Sequence, residues 1–79
     1  LEMRDLPAAE THAKEAMTVF EKLGDKQQQA QCLFVRGEVA RLETRNADAS
    51  AHYAAAVKLV PAHAAAQLGL ARVALAQDG

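Results

Sequence analysis

The chain matches itself at two offsets, and this internal repetition constrains its fold more than any single motif. Shifted by 34 positions, Ala30 meets Ala64, Phe34 meets Leu68, Gly37 meets Ala71, Val39 meets Val73 and Ala40 meets Ala74. Shifted by 40, Ala9 meets Ala49, Ala16 meets Ala56, Met17 meets Val57 and His12 meets His52. A period of about 20–50 residues marks supersecondary units that bury their apolar faces only against one another. Two kinds of unit alternate, and small residues recur where they would meet.

Local punctuation makes each unit a helix and yields an all-α fold of four helices. Pro7 is acceptable at a first helical position, and Ala9, Ala13, Ala16, Met17, Phe20 and Leu23 then follow at spacings of three and four, giving helix one over about 7–23. Gly24 closes it. Asp25 with Gln28 three residues on forms a capping-box signature, which opens helix two at Lys26; its apolar positions Ala30, Leu33, Phe34, Gly37, Ala40 and Leu42 carry it to about Thr44. Asn46 is the expected cap of helix three, over about 47–60, with Ala49, Tyr53, Ala56, Val57 and Val60 on one side. Pro61 ends that helix by disfavouring α geometry in the residue before it and supplying no amide hydrogen. Helix four covers about 63–77. Alanine supplies most of the 51% hydrophobic content, while aromatic residues make up only 4%, so helix propensity is high and backbones can approach closely.

Over Ala30 to Pro61 the positions of Leu33, Gly37, Ala40, Ala49, Tyr53, Ala56 and Pro61 resemble the 34-residue tetratricopeptide repeat (TPR), with its spaced large, small, aromatic and helix-ending residues. The chain as a whole resembles one complete repeat flanked by two half repeats, a segment of a longer solenoid. The resemblance implies antiparallel helix pairs stacked into a right-handed superhelix. Six extra residues near Leu23 to Gln29 resemble the longer TPR variants of helical scaffolds. Three positions depart from the family pattern: Arg36 stands at a usual aliphatic position, Ala13 at a usual aromatic one and Gln67 at another apolar one. A closed four-helix bundle is the alternative architecture, and it would require the first and last helices to seal against each other.

The chemistry-bearing residues are sparse. Gly24, Gly37, Gly69 and Gly79 are isolated, so no phosphate-cradling loop is expected; Ser50 is the only serine, and Cys32 falls in the middle of a helix without a nearby histidine in sequence, so no hydrolytic triad is supported. His12, His52 and His63 lack the three- or four-residue spacing of helical metal ligands. The expectation is a protein without catalytic residues, metal or cofactor. Nine Lys and Arg against ten Asp and Glu give a net charge of −1, with no basic footprint for nucleic acid or anionic lipid. No apolar run reaches the roughly 18–20 residues of a membrane span. The first five residues, with two acids, do not form a signal peptide. A single cysteine allows no internal disulfide and fits a reducing setting, cytoplasmic or nuclear.

The family resemblance implies binding of other protein subunits or peptides on a concave groove lined by the first helix of each repeat. That groove maps onto Gln31, Phe34, Glu38 and Arg41 of helix two and Leu68, Arg72 and Leu75 of helix four. Phe34 is the expected anchor, or else a packing residue. The family's clamp for chaperone tails places Lys and Asn where this chain has Phe34 and Glu38, which argues against that cargo. The implied role is a scaffold or adaptor within a multiprotein complex. The alternatives are a spacer in a large assembly, such as a transcription-elongation or ciliary scaffold, and a regulatory domain attached to an enzyme elsewhere in the parent.

Overall fold

The computed structural model describes residues 5–78. Four helices occupy them: α1 (Leu6–Leu23), α2 (Lys26–Leu42), α3 (Asn46–Leu59) and α4 (Ala64–Asp78). The first two turns share one solution. At Gly24 (φ 69°) the chain enters the left-handed region, Asp25 N–H reaches back to Phe20 O at 3.0 Å, and Gly24 N–H to Glu21 O at 3.2 Å. These paired bonds form a Schellman motif and satisfy carbonyls that the helix leaves open. After α2 the same pair recurs, Arg45 N–H to Ala40 O at 2.8 Å and Thr44 N–H to Arg41 O at 3.0 Å, with Thr44 at φ 60°.

That second motif corrects two sequence expectations. Helix α2 stops at Leu42 rather than near Thr44, because Thr44 itself leaves helical geometry. Asn46 lies inside α3, and the residue before it, Arg45, makes no capping bond to the first-turn amides. Arg45 instead bonds Asp48 Oδ2 at 3.0 Å and Glu43 Oε1 at 2.6 Å. At α2 the expected capping box is half made: Asp25 Oδ1 accepts from Gln28 N–H at 3.1 Å. The amide that reaches back belongs to Gln29, whose Nε2 donates to Phe20 O at 3.2 Å. His63 takes the capping position before α4, its Nδ1 accepting from Ala66 N–H at 3.1 Å.

The helices pack as an open series. α1 lies on α2, α2 on α3 and α3 on α4, with a smaller contact between α2 and α4 and no packed interface between α1 and α4. A closed bundle is therefore not formed. The Cα framework measures 40 × 30 × 16 Å, which is two helix layers thick. Ala30, Ala40, Ala49, Tyr53, Ala56, Ala66 and Val73 form the core, and Leu33, Phe34, Val57, Leu59, Val60 and Leu70 pack around it. Leu6, outside the predicted apolar stripe, is also buried, while Leu23 at the other end of α1 is 71% exposed. Ala71 and Ala74, expected inward, are exposed because α4 has α3 on one side and nothing of the described chain on the other.

Tyr53 is the one large ring in this alanine core. A Cβ placed on Gly37 would stand 2.6 Å from its Cε1, and a Cβ on Gly69 would stand 2.6 Å from both Cε1 and Cζ. The two glycines make room for the ring between α2 and α4. Gly69→Ala should gain about 1 kcal/mol of helix propensity yet lose about 1–3 kcal/mol to overpacking, for a net loss. Denaturant melts of Gly69→Ala in the wild-type and Tyr53→Leu backgrounds check this, since the penalty should largely vanish once the ring is gone. At the second turn a β-branched residue sits in the left-handed region at a cost of about 1–2 kcal/mol. Thr44→Gly should raise the melting temperature by roughly 4–8 °C, read by circular dichroism.

Candidate functional site

Residues 31, 34, 38 and 41 follow one face of α2, and residues 68, 72 and 75 follow one stripe of α4. α2 and α4 touch, and Arg72 of the α4 stripe lies near enough to Glu38 of the α2 stripe for its charge to act there. The polar centre of the α2 stripe is the Glu38 carboxylate. One oxygen accepts the Tyr53 hydroxyl, and the other accepts Arg41 Nη2 at 2.9 Å. Burial alone would push the Glu38 pKa up. The bonds from Arg41 and Tyr53, with the charges of Arg41 and Arg72, outweigh burial and hold it below the usual carboxylate range. Arg72 thus acts on Glu38 from across the α2–α4 seam.

The seven candidate positions differ in character. Gln31 is exposed and lies 3.3 Å from His63 Nε2. Phe34 is half-buried, with its ring centroid 5.9 Å from Tyr53 and 5.7 Å from His63. It belongs as much to the packing around Tyr53 as to the surface. Glu38 and Arg41 are half-buried and paired with each other. Leu68, Arg72 and Leu75 are exposed, Leu68 at 52% and Leu75 at 73%, and they supply most of the accessible surface of the set. Tyr53 and His63 join this site without having been singled out for it. Tyr53 drew attention only as a core aromatic, and the long-range pairing of His63 with Gln31 and Phe34 leaves no periodic trace.

A second polar cluster occupies a different side of α2. Glu10 of α1 lies 3.9 Å from Arg36 and 3.7 Å from Arg45, and Arg45 also holds Glu43 and Asp48. His52 is half-buried beside this group; burial first, and then the Arg36 charge, lowers its pKa. The cluster ties α1 to the α2–α3 turn. It also accounts for Arg36 at a position where an aliphatic residue was expected.

Between α1 and α2 lies an open apolar groove of about 320 Å³, lined by Ala9, His12, Ala13, Ala16, Gln31, Cys32 and Val35. The Cys32 thiol is free and buried, which pushes its pKa up. Among the described residues no three or more His, Cys, Asp or Glu side chains converge as a metal site, and no helix is long and apolar enough to cross a membrane. In comparisons with known proteins, no family model matches the chain, and no curated protein or solved structure matches it significantly.

Tyr53 is the only tyrosine, and the chain has no tryptophan, so tyrosinate absorbance reports this phenol alone. Burial, and then its bond to Glu38, push its pKa from 10.0 up to about 12. Because the folded state favours the neutral phenol, that stabilisation is intact below the unfolded value and is lost as pH rises toward the folded one. A spectrophotometric titration should give a midpoint near 12 in buffer and near 10 in denaturant. Tyr53→Phe should flatten the alkaline limb of the stability curve. A native midpoint near 10 would contradict the buried hydroxyl–carboxylate bond.

Proposed function

We propose that the chain is a non-catalytic protein–protein interaction module, a segment of a right-handed TPR-like solenoid that binds a peptide or partner helix on the α2–α4 face. The observation that carries this reading is the exposed stripe Leu68–Arg72–Leu75, whose Arg72 acts by its charge on a Glu38–Arg41 pair that Tyr53 anchors to the core. Large apolar side chains left in water next to ordered charges mark surfaces used for association. The open stacking of the helices and the burial of the repeated small residues Ala40, Ala49 and Ala56 support the repeat reading. Leu68 and Leu75 would give such a partner apolar contact, Arg72 a charged one, and Gln31 a neutral polar one. Phe34 serves mainly to hold the surface in shape. The free cysteine fits a role in the cytoplasm or nucleus, as a component of a multiprotein complex.

Affinity purification of the parent protein, with wild type compared against Leu68→Ser/Arg72→Glu, tests the proposal. Both positions are exposed, so circular dichroism of the variant should match wild type. A bound protein lost only from the variant is the expected result. An unchanged partner set would overturn the use of this face and favour a spacer role.

A further inference from the structure

The start of α4 depends on a group that changes its charge near neutral pH. Asp25 supplies the capping oxygen of α2, and neither α1 nor α3 has a side-chain cap. At α4 the acceptor is an imidazole. His63 Nδ1 takes the Ala66 N–H at 3.1 Å, and the His63 carbonyl takes the Gln67 N–H at 3.1 Å as the first bond of the helix. Nδ1 accepts only when it carries no proton, so the ring is neutral and its hydrogen sits on Nε2. That nitrogen faces Gln31 Oε1 of α2 at 3.3 Å, where the same tautomer donates. The Phe34 ring of α2 lies alongside, with centroids 5.7 Å apart. One half-buried side chain thus uses both ring nitrogens and a ring face to join α2 to the first turn of α4.

The two attachments respond oppositely to a proton. Protonated Nδ1 becomes a donor aimed at the Ala66 donor, and its positive charge stands at the end of α4 where the helix dipole is already positive. Nε2–H keeps its bond to Gln31, and a cation beside the Phe34 ring is favoured. No acid offsets the loss at α4: among the described residues no carboxylate forms an ion pair with the His63 ring. The charges on the α2 face are Glu38 and Arg41, which are held by each other and by Tyr53. α3 brings Lys58 and α4 brings Arg72, both of them cations.

We infer that His63 is a proton-sensitive latch: neutral, it fastens the first turn of α4 to α2, and as the imidazolium it stays with Gln31 and Phe34 and releases that turn. The latch lies within the packed unit of α2, α3 and α4, so it goes beyond the proposed partner-binding face and stands without it. The folded chain uses the unprotonated nitrogen and the unfolded chain does not. The cap therefore contributes fully above the range in which free imidazole protonates, about 6.5, and is lost as pH falls below it. His52 also favours its neutral form, through burial and then the Arg36 charge, so the effect of His63 is isolated by comparison with variants that keep His52.

Amide exchange at Ala66, followed by NMR and corrected for the intrinsic effect of pH, tests the latch at about pH 8 and about pH 5. His63→Asn keeps a capping side chain that does not titrate, and His63→Ala has none. Between the two conditions wild-type protection should fall about fivefold relative to His63→Asn, while His63→Ala should lie at the low level in both. Ring nitrogen chemical shifts of the wild type, which need no variant, should show the hydrogen on Nε2 at the higher pH. Three results would each overturn the inference. One is wild-type protection that tracks His63→Asn in acid. Another is His63→Ala matching wild type at the higher pH, which means that the ring caps nothing. The third is a neutral ring carrying its hydrogen on Nδ1.

Discussion

One aromatic ring sets the spacing of three helices. Tyr53 rises from α3 between Gly37 of α2 and Gly69 of α4, and all three pack as they do because those glycines carry no side chain. Its hydroxyl ends on Glu38, so the ring that fills the core also fixes a surface carboxylate. Core and candidate binding face therefore share a residue. A buried phenol without a partner would be costly, and Glu38 removes that cost while Arg41 balances its charge. A change in α3 packing would be felt at the α2–α4 seam through this hydroxyl.

Alanine does the remaining packing. Ala30, Ala40, Ala49, Ala56 and Ala66 are fully buried, and each brings backbones together rather than contributing much apolar area. Such a core has little reserve at any one point. It works by repetition, each helix resting on the next, and that explains both the 16 Å thickness and the absence of a sealed centre. The polar cluster of Glu10, Arg36 and Arg45 adds a charged tie between α1 and the rest of the chain where the small residues leave off.

Element type and the buried small residues were legible because helix periodicity and the two self-matches point the same way. Gly24 as a helix stop was equally plain. Thr44 was not, since nothing in a β-branched residue announces a left-handed conformation; tertiary placement of α3 overrode local preference there. Gly69 looked like an isolated small residue because its reason lies 16 positions away, at Tyr53. The outward turn of Ala71 and Ala74 was missed for a related reason: the self-match describes a helix packed by both a preceding and a following helix, and among the described residues α4 has only preceding ones, α3 and α2. At the candidate site, spacing placed the α2 and α4 stripes, but the Glu38 network depends on side-chain contacts that no periodicity encodes.

The slab-like stacking gives the molecule an order of opening. In a protein with a sealed core, loss of any helix exposes the whole interior, and unfolding is all or none. Among the described residues α2 and α3 each lie between a preceding and a following helix, while α1 has only a following one and α4 only preceding ones. Amide hydrogens should therefore exchange in sequence from the outer helices inward, as a zipper loosens from its ends. Protection would be deepest around the Tyr53 ring. Any molecule that covers either outer face would act first by stopping this fraying, and so would stabilise parts of the chain that it never touches.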